Sequence, residues 1–205
     1  MRRKVFTRRA SLILLSAVLL ASTNPYAANA ARPLASRAAP SSLSPEPQAN
    51  ININGFFSVD PAAQGSSFQA AIVMEIPGDL HVNSNRPLGK YAIPTSVKIN
   101  APRGLKVTPV TYPRARVRSF RFGGATEERL AVYEGRAIMR FNVTVPPNFE
   151  QGVARIRVNV RYQSCSDTVC FPPATRELTL PIAIVNAGSR VNRINGQYFG
   201  GGRRR

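Results

Sequence analysis

The chain has 205 residues, with 28 Lys and Arg against 10 Asp and Glu, and only two Cys and one His. That inventory argues against a structural zinc site, which wants four Cys or His ligands, and no Gly-x-Ser-x-Gly elbow or histidine-centred triad is present. No metal and no cofactor are expected. The charge is uneven: Arg2, Arg3, Lys4, Arg8 and Arg9 precede any fold, and 28 less these five leaves 23 basic residues against 10 acidic, or +13. Such a balance reads as solubility or attraction to anionic envelope surfaces rather than nucleic-acid binding, because the N-terminus carries an export pattern.

Residues 1–30 join a basic head, "MRRKVFTRR", to the apolar run "SLILLSAVLLA" and the small-residue pattern "ANA" ending at Ala30. This order is that of a cleaved export signal. The run is too short for a bilayer-spanning helix, which needs about 20 residues, and no later segment approaches one. "TRRASL" partly fits a twin-arginine signal, which leaves the export route open, and the absence of Cys argues against a lipid anchor. Residues 31–50 are rich in Ala, Pro and Ser, with almost no large apolar side chain, and are expected to be a disordered linker.

Residues 51–187 are the size of one domain and read as β throughout. "SFQAAIVMEI" places Phe68, Ala70, Ile72, Met74 and Ile76 on one side. "TSVKINAP" and "GLKVTPVTYP" are shorter strand candidates, ended by Pro102 and Pro113. "AIMRFNVTV" alternates through Ala137, Met139, Phe141, Val143 and Val145. "GVARIRVNVRYQ" alternates Ala154, Ile156, Val158, Val160 and Tyr162 with Arg155, Arg157, Asn159, Arg161 and Gln163. "ELTLPIAIV" continues with Leu178, Leu180, Ile182 and Ile184. Period 2 over five pairs means a strand with one buried face. Pro109 and Pro181 predict edge or bulge positions, since proline donates nothing to a ladder. Many short strands separated by turn signals predict an all-β fold, an immunoglobulin-like antiparallel β-sandwich. Residues 188–205, rich in Gly, Arg and Asn, are expected to be a basic disordered tail.

Both cysteines lie in "YQSCSDTVCFPP" (162–173), with four residues between Cys165 and Cys170. An exported chain lives where disulfides persist. A loop of about six residues gives a disulfide roughly 2 kcal/mol in the chain-entropy model, at the low end for such bonds. A bond confined to one turn at the rim of the sandwich is also easier to reach and to reduce than one joining distant strands. Spacing alone leaves a structural staple and a redox pair both open, because C-x4-C is not the C-x-x-C of thioredoxin. Asp167, inside the loop, is either a turn former or a group that tunes a thiol. His81, in "LHVNSN", reads as a partly buried turn residue rather than a ligand or base, and the carboxylates Glu127, Glu128 and Glu134 as solvated charge in one loop.

The motif resembles that of the N-terminal periplasmic domain of the DsbD family of thiol:disulfide interchange proteins. The shared elements are Tyr162 and Gln163 before the first cysteine, a short polar loop, the second cysteine, then an aromatic residue and Pro172–Pro173. "LHVNSNRPLGKYAIPTSVKINAPRGLKVTPVTYP" and "LAVYEGRAIMRFNVTV" resemble the body of that family, so the likeness spans about 51–187. It implies an immunoglobulin-like fold and a protein-disulfide reductase type of chemistry. Cys165 and Cys170 would cycle between dithiol and disulfide, Cys170 forming the mixed disulfide with partners and Cys165 resolving it. The implied partners are thioredoxin-like periplasmic proteins, among them isomerases and cytochrome c maturation proteins, served by a separate membrane electron donor. The resemblance also implies an aromatic cap over the pair, matched by "RSFRFGG" (118–124) with Phe120 or Phe122. Arg118 and Arg121 stand where acidic residues are usual. The competing expectation is a non-catalytic immunoglobulin-like binding module of the cell envelope, with a structural local disulfide.

Overall fold

The computed structural model describes residues 51–122 and 126–200, all within the unit Leu43–Arg205. The expected signal (1–30) and linker (31–50) lie outside the described residues. Strands follow in chain order as β1 (Asn52–Phe57), β2 (Val59–Asp60), β3 (Ala62–Ala63), β4 (Ser67–Glu75), β5 (His81–Asn83), β6 (Ser96–Asn100), β7 (Lys106–Val107), β8 (Arg116–Arg121), β9 (Glu127–Tyr133), β10 (Arg136–Thr144), β11 (Gly152–Tyr162), β12 (Ser164–Cys165), β13 (Ala174–Val185) and β14 (Asn192–Arg193). A 3-10 turn covers Gly196–Tyr198. Among the described residues no helix is long and apolar enough to cross a membrane.

The alternating runs build the sandwich. One sheet has the order β1-β4-β10-β7 and a second the order β3-β13-β11-β6. Ile53, Phe68, Ile72, Met74, Met139 and Phe141 from the first face Ile156, Val158, Val160, Leu180 and Ile182 from the second in one continuous core. The outward residues of β11, the arginines among them, stay wet, as period 2 requires. The fold is an immunoglobulin-like antiparallel β-sandwich, as the sequence predicts. The sheets approach closely at Gly55, where a Cβ would come within 2.6 Å of both Leu180 methyls, so only glycine fits without repacking.

Pro181 lies in β13 opposite Arg155, on a stretch whose other side is unpaired, since β3 joins β13 only at Ile184 and Val185. This is the edge position expected of a proline. "GLKVTPVTYP" forms less strand than expected. Pairing covers Lys106 and Val107 and resumes only as the isolated bridge Thr111–Arg140, because Pro109 interrupts the ladder.

The tail differs from expectation. Of residues 188–205, expected to be disordered, 188–200 are described and part of them docks on the sandwich. β14 pairs with β2, the Ile194 amide donates to the Ser58 carbonyl at 3.0 Å, and Asn195 Nδ2 donates to the Phe57 carbonyl at 3.0 Å. The physical reason is a row across the first sheet, Phe56–Ala71–Arg140 in register. Tyr198 stacks on Phe56 with ring centroids 4.3 Å apart, and its carbonyl accepts from Arg140 Nε at 2.6 Å. Residues 201–205 lie outside the described residues.

Candidate functional site

A third sheet, order β12-β5-β9-β8, carries the cysteine loop. Its two faces follow from the register. Val82 pairs with Tyr133, and both belong to the main core. The residues of opposite parity form the other face: His81 opposite Cys165, Asn83 opposite Val132, and Arg118 and Phe120 opposite Leu130 and Glu128. Glu134, two residues past Val132, shares it. Phe120, Leu130 and Val132 make a small cluster of their own, with Phe122 and Ala92 against it.

Cys165 and Cys170 form a disulfide, with Cα atoms 3.9 Å apart. The chain reverses between them in a tight turn. The Ser166 amide donates to the Val169 carbonyl at 2.8 Å, and Ser166 Oγ accepts from the Thr168 and Val169 amides at 3.3 and 3.1 Å. The two cysteines form an isolated antiparallel bridge, extended by the Phe171 amide donating to the Ser164 carbonyl at 2.9 Å. Their environments differ. Cys165 has no exposed surface, whereas Cys170 is exposed. Cys170 is therefore the member of the pair that lies at the surface, while Cys165 is shielded from solvent.

Gln163 holds the loop to its surroundings. Its Oε1 accepts from Asn83 Nδ2 at 3.0 Å and from the Ile93 amide at 3.1 Å, and its Nε2 donates to the Phe171 carbonyl at 3.3 Å. Tyr162 lies one residue earlier in the main core, 1% exposed, and anchors the end of β11 from which the loop departs. Asp167 is exposed in the turn.

The cap candidates come together with a residue that the sequence reading set aside. Phe120 is buried and stacks on His81, with centroids 3.9 Å apart and planes 19° apart. Phe122 stacks behind Phe120 at 5.7 Å and lies 6.5 Å from His81. The rest of the expected cap segment, Gly123 and Gly124, lies outside the described residues. His81 is not a partly buried turn residue: it is a strand residue, 2% exposed. Its Nε2 is buried and without a hydrogen-bond partner among the described residues, a situation that costs about 1–3 kcal/mol. Burial pushes its pKa below 6.5, against the raising effect of Asp167 and Glu134 and with a smaller lowering effect of Arg118. Glu127 and Glu128 lie in β9 rather than in a loop. Glu134 binds Arg118 at 2.9 Å and Arg116 at 3.9 Å, so Arg118 of β8 is occupied by a carboxylate. The signal that could have found His81 was its place in "LHVNSN", inside the stretch that resembles the body of the DsbD family. Periodicity could not, because a three-residue strand has none.

Fold and site together define a class: an immunoglobulin-like domain bearing a local disulfide with one cysteine exposed and the other buried. Residues 54–182, more than half of the chain, match the family described as "Thiol:disulfide interchange protein DsbD, N-terminal". The chain belongs to that family, whose general role is thiol–disulfide exchange. Similar solved structures include the reduced DsbD N-terminal domain of Neisseria meningitidis, at 16% identity and TM-score 0.37, covering 67% of this chain and 87% of that one. The N-terminal periplasmic domain of ScsB from Proteus mirabilis is similar at 9% identity and TM-score 0.42, over 65% of this chain and 46% of that one. A complex between the DsbD and PilB N-terminal domains of Neisseria meningitidis is similar at 16% identity and TM-score 0.37, over 60% of this chain and 80% of that one. No curated protein matches the chain.

Proposed function

We propose that the protein passes reducing equivalents between thioredoxin-like proteins of the periplasm through the Cys165–Cys170 pair. The observation that carries this reading is the asymmetry of the disulfide, with Cys170 exposed and Cys165 sealed. An attacking thiolate reaches Cys170 Sγ, forms a mixed disulfide there and expels Cys165 as the leaving group. A second thiol of the donor then attacks the mixed disulfide and frees the reduced module. With a client, the steps run in the opposite sense: Cys170 attacks the client disulfide, and Cys165 displaces the client from Cys170. Thiolate fraction and access govern each step.

The partner class is supported by family membership and by the complex that a similar DsbD domain forms with a PilB domain. A membrane electron donor would supply the reductant, and the export pattern ending near Ala30 would bring the chain to the periplasm. Phe120 and Phe122 would serve as the cap over the site, with Asp167 at its rim.

In the test, Cys165→Ala is expected to trap a thioredoxin-like protein as a mixed disulfide through Cys170. Failure to trap one, together with a wild-type disulfide that resists reduction by such a protein, refutes the proposal. A Cys165→Ser, Cys170→Ser double variant that retained full biological function would favour instead a binding module with a structural disulfide.

A further inference from the structure

His81 is tied to the redox pair by geometry. The β5–β12 register sets it directly opposite Cys165, and such opposed side chains share a face with Cβ atoms roughly 4.5–5.5 Å apart. Phe120 closes off the imidazole by stacking on it at 3.9 Å. The Nε2 atom is buried and has no partner among the described residues. Cys165 has no exposed surface, so a thiol there has no bulk water with which to exchange its proton.

We propose that His81 is the proton acceptor and donor for Cys165, the buried resolving cysteine. This rests on the thiol–disulfide exchange reading and adds a step to it. When a client is reduced, the Cys170 thiolate attacks a client disulfide sulfur, expelling one client thiolate and forming a Cys170–client disulfide. His81 then takes the proton of the Cys165 thiol. Cys165 Sγ attacks Cys170 Sγ, the mixed disulfide breaks, and the second client sulfur leaves as a thiolate that collects the proton from the imidazolium. Two electrons pass from the dithiol to the client disulfide, and no further reactant is needed. In the reverse direction, the proton of the attacking donor thiol reaches the leaving Cys165 sulfur through the same imidazole.

The charged groups that face His81 are Asp167 from the cysteine loop, Glu134 beyond β9 and Arg118 from β8. Burial outweighs the two carboxylates and keeps the ring neutral above 6.5, ready to accept.

The test uses the reduced full chain and the aryl disulfide dithiobis(nitrobenzoate). Attack by Cys170 releases one thionitrobenzoate, and resolution by Cys165 releases a second. In His81→Gln the second release is expected to slow at least about 100-fold near neutral pH, the lower range for positioned acid–base groups, while the first is unchanged. The wild-type second release should be level above about pH 6.5, the ordinary imidazole value, and fall only further down as the ring takes up a proton, whereas that of His81→Gln should climb through the alkaline range of an unassisted thiol. Wild-type rates for both releases in His81→Gln, or a wild-type second release that follows alkaline thiol ionisation, overturn the proposal. If His81→Gln does not fold, the wild-type pH profile decides alone. A wild-type chain that never releases the second thionitrobenzoate refutes the exchange reading itself, a result distinct from a slowed second phase.

Discussion

Reducing the disulfide should destabilise the domain only slightly. The bond joins residues five apart in sequence, so it closes a loop of about six residues, worth roughly 2 kcal/mol of denatured-state entropy. Other contacts hold the same loop. The Ser166–Val169 turn and the Phe171 amide bond to Ser164 need no sulfur, nor does the bond from Gln163 to the Phe171 carbonyl. The freed Cys165 thiol also stays in a site suited to it, because a buried cysteine behaves as a small apolar side chain. For a domain of this size, 2 kcal/mol corresponds to a fall in Tm of about 4–8 °C. The assay is thermal or urea unfolding of the oxidised and the fully reduced protein under otherwise equal conditions. Loss of cooperative unfolding on reduction, or a drop of more than about 5 kcal/mol, would refute the reasoning and make the bond a structural clasp.

Phe120→Ala should lower stability by about 3 kcal/mol, the lower range for a buried phenylalanine, and speed alkylation of Cys165 in the reduced protein. An unchanged alkylation rate would remove Phe120 as the cover of the site. Because burial holds the His81 pKa below 6.5, the unfolded chain binds more protons than the folded one just under that pH. The contribution is therefore full above about 6.5 and is lost as pH falls through the lowered folded value. Urea midpoints measured against pH should show this decline in the wild type and a flatter profile in His81→Gln.

The sandwich was legible because its strands are long and half-buried. The five inward residues of β11, from Ala154 to Tyr162, reveal their face without any knowledge of the partner strand, and Pro181 announces its own edge. The third sheet was not legible in the same way. Two residues in β12 and three in β5 are too few for a period, and their pairing joins parts of the chain that are far apart in sequence. His81 therefore passed for a turn residue, since what makes it notable is that Cys165 lies opposite and Phe120 above. The docked tail was hidden for a related reason. Its Gly, Arg and Asn content is that of a disordered segment, and its order comes from long-range contacts: the pairing of β14 with β2, the Asn195 bond to Phe57 and the stack of Tyr198 on Phe56. The cysteine pair itself was legible as a disulfide. That Cys165 is sealed and Cys170 open became visible only once β12 was seen paired into a sheet.

That separation of sheets bears on how the pair can change its redox state. The main core joins the two larger sheets through residues such as Ile72, Met139, Ile156 and Val158, none of them on the cysteine-bearing face. The apolar cluster on that face is small, Phe120, Leu130 and Val132 with two half-buried neighbours, and His81 stacks on its Phe120. Neither cysteine belongs to the large core, and Phe120 does not either. Such an arrangement would suit the proposed opening and closing of the disulfide, because local opening then costs far less than global unfolding. A staple would be placed the other way, across the large core, where a longer loop gives it more entropy to remove.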